Sequence, residues 1–407
     1  LRTVKESSSY CITIDKESIK ADYAAAQKRS RDVSASLTKG VKGLMSKHNI
    51  TVFFGEATLT SPTQVKISPS NETVNAEHVI LATGSHPFKL PGIDYTHPNI
   101  MTSREALEVT DIRPNDKIII IGAGAIGMEF ASIWQTYGAD VTIIEMLPHL
   151  LPNEDEDVCK EIERAYKKRK IKFHTNTKVV SVKQNGTDVR VIVEADGKTM
   201  EMECSRLLVS AGVRPNIDNL GLDKVGIKLT DRGWIQVDDH FKTTCPSVYA
   251  IGDVNGKMAL AHVASAHALV AIDSILKRTI RPINHANMPR CTYSYPEVAS
   301  VGLTEKQAVE QNYDVKVGVF PFTANGKSVA MNETTGFVKI IADAAFNEIL
   351  GVHIVGAHVT ELIHAATSYI DLEVTADELA RVVHPHPTVS EAIMEAAHVL
   401  VGHPIHI

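Results

Sequence analysis

Residues 117–145 constrain the fold more than any other stretch, because an apolar run, a glycine spacing and an acid fall in one register. Residues 118–121 are all isoleucine, a β-branched run suited to a strand buried on both faces. They lead straight into Gly122-Ala123-Gly124-Ala125-Ile126-Gly127, a G-x-G-x-x-G. Met128, Ala131 and Trp134 then share one helical face, and Gly138 closes the run, so residues 128–137 are expected to be helical. Residues 141–144 predict a second buried strand with Glu145 at its carboxyl end. The whole is about 30 residues long with its acid roughly 20 residues past the glycines, the proportions of a dinucleotide-binding βαβ half. Gly122 permits the tight turn, Gly124 lets the backbone approach a pyrophosphate, and Gly127 lets the helix pack close to the sheet. The helix N-terminus offers unpaired N–H groups to phosphates, and Glu145 accepts from ribose hydroxyls.

A chain of 407 residues has room for two to four domains. Its 44% hydrophobic and 22% charged content is that of a soluble globular enzyme. A net charge of -6 argues against nucleic acid or an anionic membrane as partner. No apolar run approaches the ~18 residues a membrane span needs. Leu1-Arg2-Thr3-Val4-Lys5 has neither an initiator Met nor an apolar signal core and reads as the middle of a longer chain. Cys11, Cys159, Cys204, Cys245 and Cys291 are scattered, with no C-x-x-C and no zinc spacing, so no metal site is expected. Such an odd set suits a reducing cytoplasm.

Residues 1–48 are expected to be helical with a turn near Asp15. Strands are expected at 51–56, 64–67 and 78–84, and a capped short helix at Thr102-Ser103-Arg104-Glu105. Beyond the nucleotide unit, 154–168 predicts a charged helix, and 178–183, 189–194, 200–203 and 207–212 predict strands. Residues 243–253 predict a strand with Asp253 at its carboxyl end, and Leu260-Ala261-His262 opens an Ala-rich helix. After Pro282, strands at 290–293, 298–302, 315–321, 336–342 and 349–355 precede helices at 360–369, 376–383 and 389–399. Strands followed by helices imply a separate α+β unit. The second informative stretch is His384-Pro385-His386-Pro387-Thr388-Val389-Ser390-Glu391. Its prolines hold a rigid turn, Ser390 or Thr388 is placed to cap the next helix, and Glu391 can reach back to a nitrogen of His386. Such a dyad fixes the tautomer and raises the basicity of the imidazole.

As a set, these motifs resemble those of the flavin disulfide reductases, over essentially the whole chain. The resemblance is carried by Ala82-Thr83-Gly84-Ser85, the loop from Gly122 to Glu129, Glu145, Ser210-Ala211-Gly212-Val213-Arg214-Pro215-Asn216, Tyr249-Ala250-Ile251-Gly252-Asp253, and Leu260-Ala261-His262. Cys291 to Glu297, Pro321 to Gly326 and the His384 to Glu391 segment complete it. It implies an α/β architecture of two Rossmann-like nucleotide-binding domains plus a C-terminal α+β dimerisation domain. FAD-binding residues would span 1–110 and 240–282, the NAD-binding domain 111–239, and the homodimer interface 283–407. FAD would meet Gly55, Ala57, Thr83, Gly84, Ser85, Asp253 and the segment Ala259, Leu260, Ala261 and His262, with Ala259 standing where the family usually has Met. NAD would meet Gly122, Gly124, Ala125, Ile126, Gly127, Glu129, Glu145, Val179 and Gly212. His386 would be the catalytic base and Glu391 its partner, acting on the other subunit's disulfide.

The activity implied is oxidation of dihydrolipoyl groups, with electrons passing through a disulfide and FAD to NAD. The partner would be the dihydrolipoyl domain of a 2-oxoacid dehydrogenase-type acyltransferase, in the cytoplasm or a mitochondrial matrix. One departure is large: the family's first βαβ unit, with its own glycine loop and a Cys-x-x-x-x-Cys pair, has no counterpart here, and Leu1 aligns just past it. A chain starting at Leu1 is therefore expected to hold FAD weakly and not to reduce lipoamide. A mercuric reductase is disfavoured because residues 401–407 lack a cysteine pair, and an NADP-dependent glutathione reductase because Glu145 would repel a 2′-phosphate. A soluble transhydrogenase, or a catalytically silent nucleotide-binding module, are the alternatives. Flavin absorbance separates the enzyme from the silent module.

Overall fold

The computed structural model describes residues 1–15 and 18–407, Asn185 by its backbone alone. Packing divides it into two units, one of Leu1–Gln27, Lys89–Ala211 and Ala286–Ile407, the other of Lys28–Phe88 and Gly212–His285.

The first unit is built around the isoleucine run. Lys117–Ile121 is the central strand of a five-stranded parallel sheet, in the order Ile100–Thr102, Arg206–Val209, Lys117–Ile121, Asp140–Ile144, Lys172–His174. Alternation explains why four isoleucines stand in a row. Ile118 and Ile120 enter a core with Met128, Ala131 and Trp134 of the Ala125–Thr136 helix and Ile162 and Tyr166 of the Glu156–Lys168 helix. Ile119 and Ile121 pack on the opposite face against Val189, Val191 and Val193 of the antiparallel sheet Lys178–Asn185, Asp188–Ala195, Lys198–Cys204. The Glu156–Lys168 helix is capped by Asp155, begins with acids and ends with lysines, as its dipole favours.

In the same unit, residues 290–356 form a five-stranded antiparallel sheet, covered by the Val359–Asp371 and Glu391–Leu400 helices. Gly318 lets the last helix approach: a Cβ there would lie 2.2 Å from the Ala396 carbonyl oxygen. Two cations, Arg169 half-buried and Lys339 buried, tie this sheet to the nucleotide segment. Arg169 donates to the Ser132 oxygens, Gln135 Oε1, Thr136 Oγ1 and the Tyr295 carbonyl. Lys339, only 1% exposed, donates to Asp155 Oδ1 (2.8 Å), Asp157 Oδ2 (2.6 Å) and Glu305 Oε2 (2.7 Å).

The second unit holds the antiparallel meander Glu56–Ser61, Gln64–Ser68, Glu72–Asn75, a parallel pair Val79–Leu81 with Val248–Ala250, and an antiparallel pair Ser85–Pro87 with Val213–Pro215. Leu59, Leu81, Ile235, Val248 and Val254 make its core, and Phe241, Tyr249, Val270 and Ala271 a second cluster with the Ala261–Ile275 helix.

Three expectations are corrected. Residues 51–55 are not a strand; Val52, Phe53 and Phe54 are exposed, and pairing begins at Glu56, whose register with Ser68 fixes the hairpin. The strand expected over 78–84 pairs only at Val79–Leu81, and a separate strand pair forms beyond it at Ser85–Pro87. Residues 1–48 are helical mainly over Tyr23–Lys47, which buries no residue, with Arg2–Lys5 a short helix and Ser7–Tyr10 a 3-10 turn. Ser18 N–H and Oγ both donate to the Asp15 carbonyl, and the residues between them, where the turn near Asp15 was expected, lie outside those described. Among the described residues no helix is long and apolar enough to cross a membrane.

Asp155 is 2% exposed, so Lys339→Ala leaves a buried carboxylate uncompensated, a loss of about 3–5 kcal/mol. Adding Asp155→Asn recovers part of it. Burial works against the Asp155 charge, but Lys339 outweighs it and holds the carboxyl below its ordinary 3.8. A carboxyl depressed on folding stabilises above its unfolded value and loses that contribution as pH falls through the folded one. Denaturant unfolding therefore shows the wild-type advantage intact at neutral pH and fading below about pH 4.

Candidate functional site

At the glycine loop the chain closes on itself. Gly122 has φ +100°, and a Cβ on it would lie 2.6 Å from the Ser210 carbonyl oxygen. A Cβ on Gly127 would lie 2.1 Å from the Gly122 carbonyl oxygen and 2.8 Å from Ser210 Oγ. Ser210 Oγ in turn donates to the carbonyls of Ile121 and Gly122. Gly124, by contrast, has open space beside it, and with Ala125 and Ile126 it forms the exposed rim of the loop. It also begins the Ala125–Thr136 helix without a side-chain cap. An uncapped helix start in open space, reached by backbone alone, fits a pyrophosphate.

Glu145 is buried and holds the loop. Its Oε2 accepts from Ala123 N–H (2.7 Å), its Oε1 from Leu147 N–H (2.9 Å), and its carbonyl from Thr177 N–H. Each carboxylate oxygen has a second lone pair, so ribose hydroxyls can still donate to it. The Thr177 bond brings the start of the strand carrying half-buried Val179 beside Glu145. Glu129 Oε1 accepts from Tyr293 N–H, just past the Arg290–Thr292 strand of the antiparallel sheet (2.9 Å), and burial pushes its carboxyl up. Gly212 lies in the second unit, where its carbonyl accepts from Phe88 N–H.

The second unit gathers the remaining nucleotide candidates. Ser85 Oγ donates to Asp253 Oδ2 (2.6 Å), joining the start of the Ser85–Pro87 strand to the turn that follows Val248–Ala250. Thr83 and Gly84 form the bend just before Ser85, Gly84 at φ +71° with free space where a Cβ would go. Gly55 has φ +155° and backs onto the Ser68 carbonyl, with exposed Ala57 two residues on. Ala259, Ala261 and His262 are exposed and Leu260 half-buried where the Ala261–Ile275 helix begins, again without a side-chain cap. An acid, small residues and an uncapped helix start fit the ribityl and phosphate groups of a flavin nucleotide. Asn216, absent from the expected site residues, clasps this turn. Its Nδ2 donates to the Thr83 carbonyl, Thr83 Oγ1 donates to its carbonyl, and its N–H donates to Gly84. With Nδ2 so used, Oδ1 must accept from His86 Nδ1–H (2.7 Å). Its signal was the Arg214-Pro215-Asn216 triplet.

His386 is 79% exposed, and its Nδ1 lies 3.0 Å from Glu391 Oε1. A carboxylate can only accept, so Nδ1 carries the proton and Nε2 is the basic nitrogen. Neither Thr388 nor Ser390 caps the following helix through its side chain, contrary to expectation. Thr388 Oγ1 is taken by the Pro385 carbonyl and Ser390 Oγ, and Glu391 Oε2 instead accepts from Thr388 N–H (2.8 Å). Burial opposes the Glu391 charge, but Thr388 N–H and His386 outweigh it and hold the carboxyl below its ordinary value.

Residues 8–268 match the family model for pyridine nucleotide-disulphide oxidoreductases, and residues 288–397 its dimerisation domain. Dihydrolipoyl dehydrogenase of Mycobacterium leprae is 44% identical over 94% of this chain and 83% of its own length. That of Zymomonas mobilis is 40% identical over 99% of this chain and 86% of its own. Among solved structures, LpdA of Mycobacterium tuberculosis superposes with a TM-score of 0.86 at 26% identity, covering 94% of this chain and 84% of that one. The HOCl-induced flavoprotein disulfide reductase RclA of Escherichia coli gives 0.84 at 25% identity, covering 94% and 86%.

The Glu145 carboxylate repels a 2′-phosphate in a partly desolvated site. Titration is expected to show NADH bound about 100-fold more tightly than NADPH, a gap that Glu145→Ala narrows; equal binding to the wild type would remove Glu145 from this role.

Proposed function

Because the chain belongs to the pyridine nucleotide-disulphide oxidoreductase family, we propose that it oxidises dihydrolipoyl groups, passing electrons through a disulfide and FAD to NAD. The observation that carries this reading is the Glu391–His386 pair, a base held in one tautomer on an exposed turn. FAD, when bound, relays an electron pair between a dithiol and the nicotinamide. The chain's own groups handle protons and position. His386 Nε2 takes a thiol proton, which matters because the thiolate is the species that exchanges with a disulfide. Glu391, held ionised by Thr388 N–H, steadies the imidazolium that forms.

Burial pushes the thiols of Cys159 and Cys204 up to about 12 and that of Cys291 up to about 11, so they stay protonated at neutral pH. All five cysteines are free. The exchanging disulfide is accordingly assigned to a pair other than these, served across a homodimer interface by His386. Residues 1–110 and 240–282 are assigned to FAD, 111–239 to NAD and 283–407 to the interface. Asp253 and Ser85 serve the ribityl chain, and the loop from Gly122 to Gly127 the NAD pyrophosphate. The acyl-carrying partner is the dihydrolipoyl domain of a 2-oxoacid dehydrogenase-type acyltransferase, and the compartment is the cytoplasm.

Two assays on the holoenzyme test the assignment. His386→Gln is expected to lower dihydrolipoamide oxidation 10²–10⁴-fold, the usual range for loss of a general base, with little effect on electron transfer from NADH to a dye, which needs no thiol proton. Equal loss in both assays would make His386 structural. A variant held monomeric is expected to lose dihydrolipoamide turnover as well, and full turnover by a proven monomer would refute the shared site.

A further inference from the structure

His267 takes no part in the chemistry above, yet it is fully buried on the Ala261–Ile275 helix with both ring nitrogens engaged. Its Nδ1 lies 3.2 Å from Gly252 N and 3.3 Å from Asn255 Nδ2. Asn255, itself buried, also donates through Nδ2 to the Ala250 carbonyl, so this nitrogen is the amide's donor end. Two N–H groups thus converge on Nδ1, which must carry the lone pair. The single ring proton is then on Nε2, and it donates to His285 Nε2 at 3.0 Å. The Phe241 ring stacks on the imidazole at 4.0 Å.

Gly252 and Asn255 bound the short 3-10 turn Gly252–Asn255 that contains Asp253. Gly252 has φ +69°, and the turn is closed on its far side by Gly256 N–H donating to the Asp253 carbonyl. The His267 ring is therefore the side chain that fastens both ends of this turn. We propose that His267 is a positioning residue for flavin binding, which holds the Asp253 turn in its binding geometry only while its imidazole is neutral. The inference rests on the reading of Asp253 as a flavin contact.

A second proton could only go to Nδ1, where it would face the two N–H groups that now donate to it. The titratable and charged groups around the ring are His285 and Lys257, both of which disfavour a cation, and Asp239, which acts on His285. Burial is the larger influence, and with His285 and Lys257 it pushes His267 down to about 4. A histidine depressed on folding stabilises the folded form above its unfolded value, ordinarily 6.5, and that contribution is lost as pH falls from there toward the folded value.

The test is release of flavin from the holoenzyme, followed as the rise of free-flavin fluorescence between pH 7.5 and 4.5, with circular dichroism reporting the fold. His267→Phe keeps a ring but leaves Gly252 N–H and Asn255 Nδ2 without an acceptor. It is expected to release flavin about 10- to 100-fold faster at pH 7.5. His267→Gln keeps an acceptor that does not titrate, so its release is expected to lack the acceleration the wild type shows below pH 6. Should the Phe variant fail to fold, the pH profile of the Gln variant still decides. Identical acid profiles for wild type and His267→Gln, or wild-type release by a folded His267→Phe, would overturn the proposal. Asp253→Ala is measured in parallel. If it retains flavin like the wild type, the assignment of Asp253 falls and this inference with it. If it sheds flavin while His267→Phe does not, only the role of His267 falls.

Discussion

The structure depends most on a place where no side chain fits. Gly122, Gly127 and Ser210 bring a strand end, a turn, a helix start and a neighbouring strand within one Cβ of each other. That approach leaves the helix start uncapped beside open space, so its first N–H groups are free to meet a phosphate. Main-chain donors do not titrate or change rotamer. The variable part of the site is thereby left to Glu145, one carboxylate that both ties down Ala123 and Leu147 and presents spare lone pairs. The interaction that makes the loop rigid also presents the lone pairs that a ribose would meet.

Polar satisfaction follows one pattern in both units: a side chain near a turn satisfies that turn's backbone. Glu145 does so for the glycine loop, Asn216 for Thr83, Glu391 for Thr388, and His267 for Gly252. Truncating any of them takes a side-chain partner from a main-chain group, so such residues behave as structural and functional at once.

The nucleotide half was legible because its signals are local. A β-branched run, glycines with distinct steric duties and an acid at fixed distance all lie within a single βαβ. The His386–Glu391 pair was legible for the same reason, being five residues apart in sequence. What escaped was non-local. Val52, Phe53 and Phe54 have strand composition, yet pairing is decided by the partner strand, and Glu56–Ser61 found it first. The 216–83 clasp and the His267–His285 contact join residues whose proximity exists only after folding. A histidine in an Ala-rich helix carries no signal of its own. The Thr388 or Ser390 cap failed because the two hydroxyls pair with each other, and that of Thr388 also with the Pro385 carbonyl.

Arg169 shows how such wiring shapes the history of a sequence. Its guanidinium serves a hydroxyl and a carbonyl of Ser132, an amide of Gln135, a hydroxyl of Thr136 and, across to the interface sheet, the Tyr295 carbonyl. A lysine has three donors at one point and cannot serve partners spread around a planar fork. A substitution at 132, 135 or 136 therefore acts on the antiparallel sheet through Arg169, and changes at these four positions are expected to have coupled rather than additive effects.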